Sequence, residues 1–325
     1  MPTICRCGRE GFFFRQHSGE VLCRRCFAKS IERTVLKTIR RERLFAPQDK
    51  VMIALSGGKD SVALTYLLSK IEKSYKTELF ALTIDEGLRG YREEGLEISR
   101  RITKELGINH TVITFKEFYG YTLEEIYRIA EEKDLGLQGC TFCGILRRKL
   151  LNDAACRMGA TKVATGHNLD DEAQTVFINV LRGDVTRLAR LGAKPVVSRA
   201  GLVPRVKPLR NVPEREIAAY VFLKGYPLYE KECPFVRASL RDEVRDILNG
   251  LESKHPGTKY SVVRGIDRLS GLLKEKIENS EILNCSKCGS PTGSEVCRMC
   301  QVVSMLGIDV NPKTSAESAQ KPSRT

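Results

Sequence analysis

Apolar and polar positions follow two rhythms along the chain. The run "KVMIAL" (50–55) is continuously apolar after its lysine and suits a strand buried on both faces of a sheet. "SGGKDS" (56–61) follows, polar and glycine-rich, and then Val62, Leu64, Leu67, Leu68 and Ile71 recur at helical spacing. Three further strand-like runs are "ELFALTID" (78–85), "HTVITF" (110–115) and "TKVATGHN" (161–168). Helical patterns such as "EEGLEISRRITKELG" (93–107) separate them. Strands alternating with helices predict an α/β fold, a parallel sheet with helices on both faces. Ligands of such sheets lie beyond the strand C-termini. The ends near Ser56, Asp85 and Gly166 are therefore expected to converge on one site. Upstream, Ile31, Val35 and Ile39 in "FAKSIERTVLKTIRRERLF" (27–45) predict an amphipathic helix with a basic outer face.

Composition adds a partner class. The chain has 325 residues, 42% of them hydrophobic, enough for one sizeable domain plus smaller modules. No apolar run reaches 18 residues and "MPTICRCGRE" lacks the apolar stretch of a signal peptide, so a soluble cytoplasmic protein is expected, with no membrane partner. The net charge of +14 points to a polyanion or to a basic surface that is merely solvated. Residues 182–210 hold eight Lys or Arg and one acid, Asp184, and are the expected contact with a nucleic-acid backbone. The competing reading is a basic loop without a partner.

Twelve cysteines in a reducing compartment suggest metal rather than disulfides. Cys285, Cys288, Cys297 and Cys300 form two Cys-x-x-Cys knuckles, the pattern of a structural zinc ribbon. Cys23 and Cys26 form another knuckle, while Cys5 and Cys7 are separated by one residue, and His17 is a candidate substitute ligand for this first zinc. Cys140, Cys143, Cys156 and Cys233 remain. Cys156 sits among apolar residues in "LLNDAACRM" and is expected to be a buried core cysteine.

The glycine turn after the first strand opens a helix, where exposed amides and the helix dipole favour a phosphate. Gly57 and Gly58 let the backbone approach an anion, Ser56 and Ser61 add hydroxyls, and Lys59 adds charge. It is not a Walker A loop, because that motif needs glycine where Ile53 stands. "TGHNLDDEAQT" (165–175) follows the fourth strand. Asp170 and Asp171 there either cap a helix or, for Asp171, hold Mg²⁺ or orient reacting groups. His167 is read as a phosphate contact or as a hydrogen-bonded structural histidine.

"SGGKDS", "CTFCGILRR" (140–148), "TGHNLDDEAQT", "VLRGD" (180–184) and "ECPF" (232–235), between two cysteine knuckles, together resemble the tRNA uridine 2-thiolation enzymes of the PP-loop ATP pyrophosphatase superfamily. The resemblance covers residues 3–303. It departs from the family at Cys5 and Cys7, where Cys-x-x-Cys is common. It implies a Rossmann-like PP-loop domain over 49–280, preceded by a zinc module (1–28) and a basic linker helix (29–48). A zinc ribbon (281–305) and a disordered tail (306–325) complete the expected organisation. ATP is expected on Ala54, Leu55, Ser56, Gly57, Gly58, Lys59, Asp60, Ser61, Ile84, Asp85, Arg147, Gly166 and Asp171. Asp60 and Asp171 are expected to serve the chemistry with Mg²⁺. A [4Fe–4S] cluster on Cys140, Cys143 and Cys233 is implied, with two Zn²⁺ on the outer cysteine sets. Three thiolates leave one iron open, where a hydrosulfide can bind. The implied reaction adenylates the C2 oxygen of a tRNA uridine, at position 54 or 34, releases pyrophosphate, and replaces that oxygen with sulfur. The sulfur donor implied is a ubiquitin-like protein with a C-terminal thiocarboxylate, or inorganic sulfide, and family members are commonly homodimers. The alternatives are a persulfide relay between Cys140 and Cys233, a third zinc completed by Cys156, a PP-loop tRNA-modifying ligase, and a non-catalytic zinc-ribbon RNA-binding protein.

Overall fold

Val51, Met52 and Ile53 are wholly buried, and consecutive side chains of this strand serve opposite faces of one sheet. The computed structural model describes residues 3–136, 139–192, 201–229, 231, 233–235, 239–277 and 283–310. An N-terminal hairpin, β1 (Phe13–Arg15) and β2 (Glu20–Leu22), leads into α1 (Arg24–Arg41). The central part runs β3 (Lys50–Ala54), α2 (Lys59–Tyr75), β4 (Glu78–Asp85), α3 (Arg92–Leu106), β5 (Asn109–Thr114), α4 (Phe115–Tyr119), α5 (Leu123–Glu132), α6 (Gly139–Arg157) and β6 (Lys162–Ala164). It continues with α7 (Leu169–Leu181), α8 (Val185–Ala189), β7 (Arg205–Val206), α9 (Glu214–Lys224), α10 (Leu240–Lys254) and α11 (Thr258–Ile277). A second small hairpin, β8 (Leu283–Asn284) and β9 (Pro291–Thr292), precedes α12 (Arg298–Leu306).

The central sheet is parallel with order β5-β4-β3-β6-β7. The chain leaves β3 toward β4 on one side and later returns to place β6 on the other. The crevice between β3 and β6 is therefore the topological switch point, where open α/β sheets bind ligands. One face packs Met52, Phe80, Leu82 and Val163 against Phe142, Leu146 and Leu150 of α6 and against Cys285, Cys297, Cys300 and Val302 of the C-terminal module. The opposite face packs Val51, Ile53, Leu79 and Ala81 against α1, α2 and α9, through Phe27, Ile31, Val35, Leu64 and Tyr220. Phe12 and Phe13 of the N-terminal module stack on Phe27 with ring centroids 5.6 and 4.6 Å apart. Each cysteine module is thus built into the core on its own face of the sheet.

Helix α1 buries Phe27, Ala28, Ile31, Val35, Thr38 and Ile39, the stripe that the spacing predicts. Strand β7 is an addition to that expectation, two residues long and set within the basic stretch 182–210. Part of that stretch is internal. Arg210 is 1% exposed and bonds Asp267 at 2.8 Å, and Lys207 bonds Glu172 at 2.6 Å. These two cations are committed to acids of the protein, the buried Glu172 and the more exposed Asp267, instead of facing an RNA. Cys156 corrects a second expectation: it is exposed. Ala154 and Ala155 beside it are buried, and one more residue of helix turns the side chain about 100° away from them. Leu306, Ile308 and Val310, past the expected ribbon boundary, are buried in the α6-side core. The rest of the expected tail, 311–325, lies outside the described residues, as do 193–200 of the basic stretch.

Candidate active site

The turn between β3 and α2 is held open by contacts that only glycine permits. Gly57 has φ +84°, and a Cβ there would meet the Gly95 carbonyl oxygen at 2.5 Å and its Cα at 2.7 Å. Helix α3 therefore lies backbone to backbone on the turn. Gly166 closes from the β6 side, where a Cβ would come within 3.0 Å of the Asp60 carbonyl carbon and the Ser61 nitrogen. Ser61 Oγ accepts from the Ser56 amide at 3.1 Å and donates to the Gly58 carbonyl at 2.9 Å. No side chain caps α2, whose N-cap is Gly58, so its first amides face the crevice as a place for an anion.

The charged residues beside the turn are already ordered. Lys59 Nζ lies 2.6 Å from Glu214 Oε1 and 3.0 Å from Asp60 Oδ2. Burial opposes its charge, but the two carboxylates outweigh that and raise its pKa. Burial also raises the Asp60 pKa against the pull of Lys59, and Asp60 Oδ1 accepts from Asn168 Nδ2 at 3.1 Å. Asp171 caps α7: its Oδ2 accepts from the Asn168 amide at 3.1 Å, and its own amide donates to Asn168 Oδ1 at 3.0 Å. Its Oδ1 points to Arg241, 4.0 Å away, and burial raises its pKa. Asp170 turns inward instead, paired with Lys259 and accepting from the Glu214 amide at 2.8 Å. His167 is hydrogen-bonded, its Nδ1 2.8 Å from Thr165 Oγ1, and burial pushes its pKa down to about 4.

Beyond β4, Asp85 Oδ1 accepts from the Gly87 amide at 2.8 Å and so shapes the next turn. Arg92, which no sequence pattern singles out, ties the two strand ends together. Its Nη2 donates to the Ile84 carbonyl at 2.7 Å, its Nη1 to the Ser56 carbonyl at 3.2 Å, and its Nε faces Glu86 Oε2 at 2.9 Å. Glu86 reaches on to Arg147 Nη1 at 3.4 Å. The only sequence signal for this pair is position, directly past a strand end and on the next helix's first turn.

Cys140 and Cys143 occupy the first turn of α6, with Arg147 one turn further on the same helix. Cys233 arrives on a segment fixed at both ends. At one end Tyr229 forms a parallel backbone bridge with Gly58, and its hydroxyl bonds the Tyr91 carbonyl. At the other, Phe235 packs on Tyr127 with rings 4.5 Å apart, and its carbonyl accepts from Cys140 Sγ at 3.3 Å. Burial pushes the Cys143 thiol up to about 11 despite Arg147, and burial with the neighbouring Cys233 raises Cys140. A metal bound by these thiols would remove their protons. Three cysteines from two segments suit an iron–sulfur cluster with one iron left without a protein ligand. Cys156 is not part of this set.

The outer cysteines gather into tighter groups. Cys5, Cys7, Cys23 and Cys26 lie within 4.8 Å of one another, as do Cys285, Cys288, Cys297 and Cys300. Cys7 is 3.5 Å from Cys5 and 3.6 Å from Cys23, and Cys288 is 3.6 Å from Cys297. Four thiolates on ~2.3 Å bonds to one tetrahedral zinc would be about 3.8 Å apart. The Cys-x-Cys bite therefore completes a four-thiol set, and His17 lies elsewhere, its ring 4.7 Å from that of Tyr260.

Residues 27–249 match the model of the PP-loop domain family. The chain is 36% identical over 318 residues to the tRNA 2-thiolation protein NcsA of Haloferax volcanii, covering 93% of this chain and 98% of that protein. It is 35% identical to the cytoplasmic tRNA 2-thiolation protein 1 of Chlamydomonas reinhardtii, over 94% of this chain and 85% of that protein. Among solved structures, the U34-tRNA thiolase NcsA from Methanococcus maripaludis with its [4Fe–4S] cluster superposes with a TM-score of 0.81 at 37% identity, over 95% of this chain and 98% of that one. No described helix is long and apolar enough to cross a membrane. The match to the PP-loop domain over most of the chain, with sequence and fold shared over nearly its whole length with these relatives, means that the chain belongs to the tRNA 2-thiolation family of PP-loop proteins.

Proposed function

We propose that this protein uses ATP and a sulfur donor to convert the wobble uridine of tRNA to 2-thiouridine, releasing AMP and pyrophosphate. The carrying observation is the backbone bridge between Gly58 and Tyr229, which sets the chain four residues before Cys233 against the turn after β3. Activation by ATP and delivery of sulfur can then act on one carbon. The choice of position 34 over 54 rests on the likeness to the U34-tRNA thiolase.

In this reading the amides of Gly58 and the first turn of α2 bind the phosphates, with Ser56 and Ser61 as hydroxyl donors. Lys59, drawn from Glu214, follows the charge that develops as pyrophosphate leaves. Ala54, Leu55, Ile84 and Asp85 line the nucleoside side. Asp60 and Asp171 are the carboxylates suited to Mg²⁺. Arg147, braced by Glu86, is aimed between the nucleotide and Cys143. The uridine C2 oxygen attacks the α-phosphate, which turns that oxygen into part of AMP, a competent leaving group when sulfur takes its place. Cys140, Cys143 and Cys233 would hold a [4Fe–4S] cluster, which supplies an open iron able to present sulfide. The two four-cysteine sets would each hold Zn²⁺. The donor is a thiocarboxylated ubiquitin-like protein or sulfide itself, the protein works in the cytoplasm, and a homodimer is its expected form. The chain divides into the segments that the sequence suggests, with the C-terminal metal module extended to Val310 and both metal modules docked on the catalytic core.

The test is anaerobic reconstitution with and without iron, then mass spectrometry of tRNA fragments. Iron-dependent 2-thiouridine at position 34, with stoichiometric pyrophosphate, is the expected result. Full activity of the iron-free protein would return the three cysteines to a persulfide relay, and product at position 54 would overturn the choice of uridine.

A further inference from the structure

Arg148, which lies within electrostatic reach of Cys143, and Arg205 next to it have no acid of their own among the described residues. Arg148 follows Arg147 on α6, and its guanidinium folds back over Gly144, where a Cβ would meet Nη1 at 3.1 Å. Arg205 of β7 crosses to it and donates from Nη2 to the Arg148 carbonyl at 2.8 Å. The neighbouring carboxylates are committed elsewhere: Asp153 to Lys149, Asp184 to Arg187 at 3.1 Å, and Glu172 to Lys207. Burial and the charge of Arg148 hold the Arg205 pKa down to about 10, and burial with Arg147 lowers that of Arg148. Two crowded guanidiniums without a counter-ion repel each other, and no packing role requires that both be charged. They line an open groove of about 470 Å³ with Lys149, Asn152 and Arg298, between α6, β7 and the C-terminal module.

We propose that Arg148 and Arg205 form a clamp for phosphodiesters of the substrate RNA, gripping the strand next to the uridine presented to the three-cysteine set. The guanidinium fork suits a phosphate bidentately, and two forks side by side suit successive phosphates of one strand. The groove is open to solvent, as a polyanion needs, and in the proposed reaction the ATP phosphates have their own place at the start of α2. The assignment rests on the reading of tRNA as substrate.

The experiment uses the full-length, cluster-loaded protein and unmodified tRNA, with binding followed by fluorescence anisotropy across a salt series. Replacing both residues by Gln (Arg148→Gln with Arg205→Gln) is expected to weaken binding several-fold. It should make the log–log salt dependence shallower by about 1.4, at ~0.7 for each single-strand phosphate that is no longer neutralised. ATP affinity and the cluster absorbance should stay unchanged. An unaltered slope overturns the clamp, and so does a loss confined to turnover with a protein sulfur donor. If the double variant loses iron, the Lys pair (Arg148→Lys with Arg205→Lys) decides: a wild-type slope supports the clamp, a reduced one overturns it. A wild-type protein that binds tRNA but makes no 2-thiouridine would sink the thiolation reading and leave the clamp standing.

Discussion

Gly57 and Gly58 are adjacent, and both read as phosphate-loop glycines, yet the structure separates their roles. At Gly57, alanine would meet backbone and not a flexible side chain: the Gly95 carbonyl oxygen at 2.5 Å, Cα at 2.7 Å and carbonyl carbon at 2.9 Å. Its φ of +84° is also left-handed. A Cβ in that region costs ~1–2 kcal/mol, and overpacking against a fixed wall costs ~1–3 kcal/mol. Gly57→Ala should therefore lose ~2–5 kcal/mol, a large part of the ~5–15 kcal/mol that holds a domain together. At Gly58, φ is −73° and the nearest atom to a Cβ is Ser56 Oγ at 3.6 Å. Gly58→Ala should leave stability within ~1 kcal/mol of wild type. Its added methyl stands where phosphates approach, so ATP binding should fall. Urea unfolding followed by circular dichroism gives the first quantity, and calorimetric ATP titration the second. If Gly57→Ala unfolds at the wild-type midpoint, α3 does not rest on the turn and the packing argument fails.

The remaining predictions concern metal ligands and protons. Ala at Cys140, Cys143 or Cys233 should each abolish thiolation and iron retention while ATP still binds, whereas exposed Cys156→Ala should keep both; iron assay and nucleoside mass spectrometry decide. Cys285→Ser should lower zinc by one ion per chain and also lower the unfolding midpoint of the whole core, because Cys285 packs with Met52 and Phe80; unchanged zinc would refute the assignment. His110 sits with Nε2 2.8 Å from Thr83 Oγ1, and burial pushes its pKa down to about 4 from 6.5. The unfolded chain therefore takes the proton first. Its stabilising effect is full above pH 6.5 and is lost as pH falls toward 4, by up to ~3 kcal/mol. His110→Gln should flatten the stability profile across that window, and an unchanged profile would show that His110 does not titrate with folding.

The parts of the fold legible in the sequence are those carried by local pattern. The apolar run 51–55 could serve only a strand buried on both faces, and the polar turn followed by Val62 and Leu64 had to open a helix. The four C-terminal cysteines announced their set through spacing, whereas at the N-terminus the single residue between Cys5 and Cys7 left His17 open as a ligand until the structure brought the four thiols together. Arg92, Glu86 and Tyr229 were not legible, because their roles exist only where separate strand ends meet. A lone arginine in "YREEG" gives no sign that it will bond the carbonyls of both Ser56 and Ile84. The basic stretch 182–210 misled in part for a related reason. A count of cations does not say which ones pair with acids of the fold such as Glu172 and Asp267.

The two outer cysteine sets follow from how the site is mounted. From the N-terminal module, Arg15 bonds Glu216 of α9 at 2.6 Å, and the same helix begins with Glu214, the partner of Lys59. On the other face, α12 packs on α6, whose first turn carries Cys140 and Cys143. One module thus braces the helix whose Glu214 pairs with Lys59, and the other braces the helix that carries Cys140 and Cys143. Short hairpins such as β1–β2 and β8–β9 are too small to hold a shape through burial alone, and a metal held by each four-cysteine set would supply that energy. Rigid support on both faces matters because the C2 oxygen must meet the α-phosphate and then the same carbon must meet sulfur, and misplacement of about 1 Å can cost a hundredfold in rate. The Tyr229–Phe235 segment is where the two supports meet, anchored on Gly58 at one end and on α6 at the other.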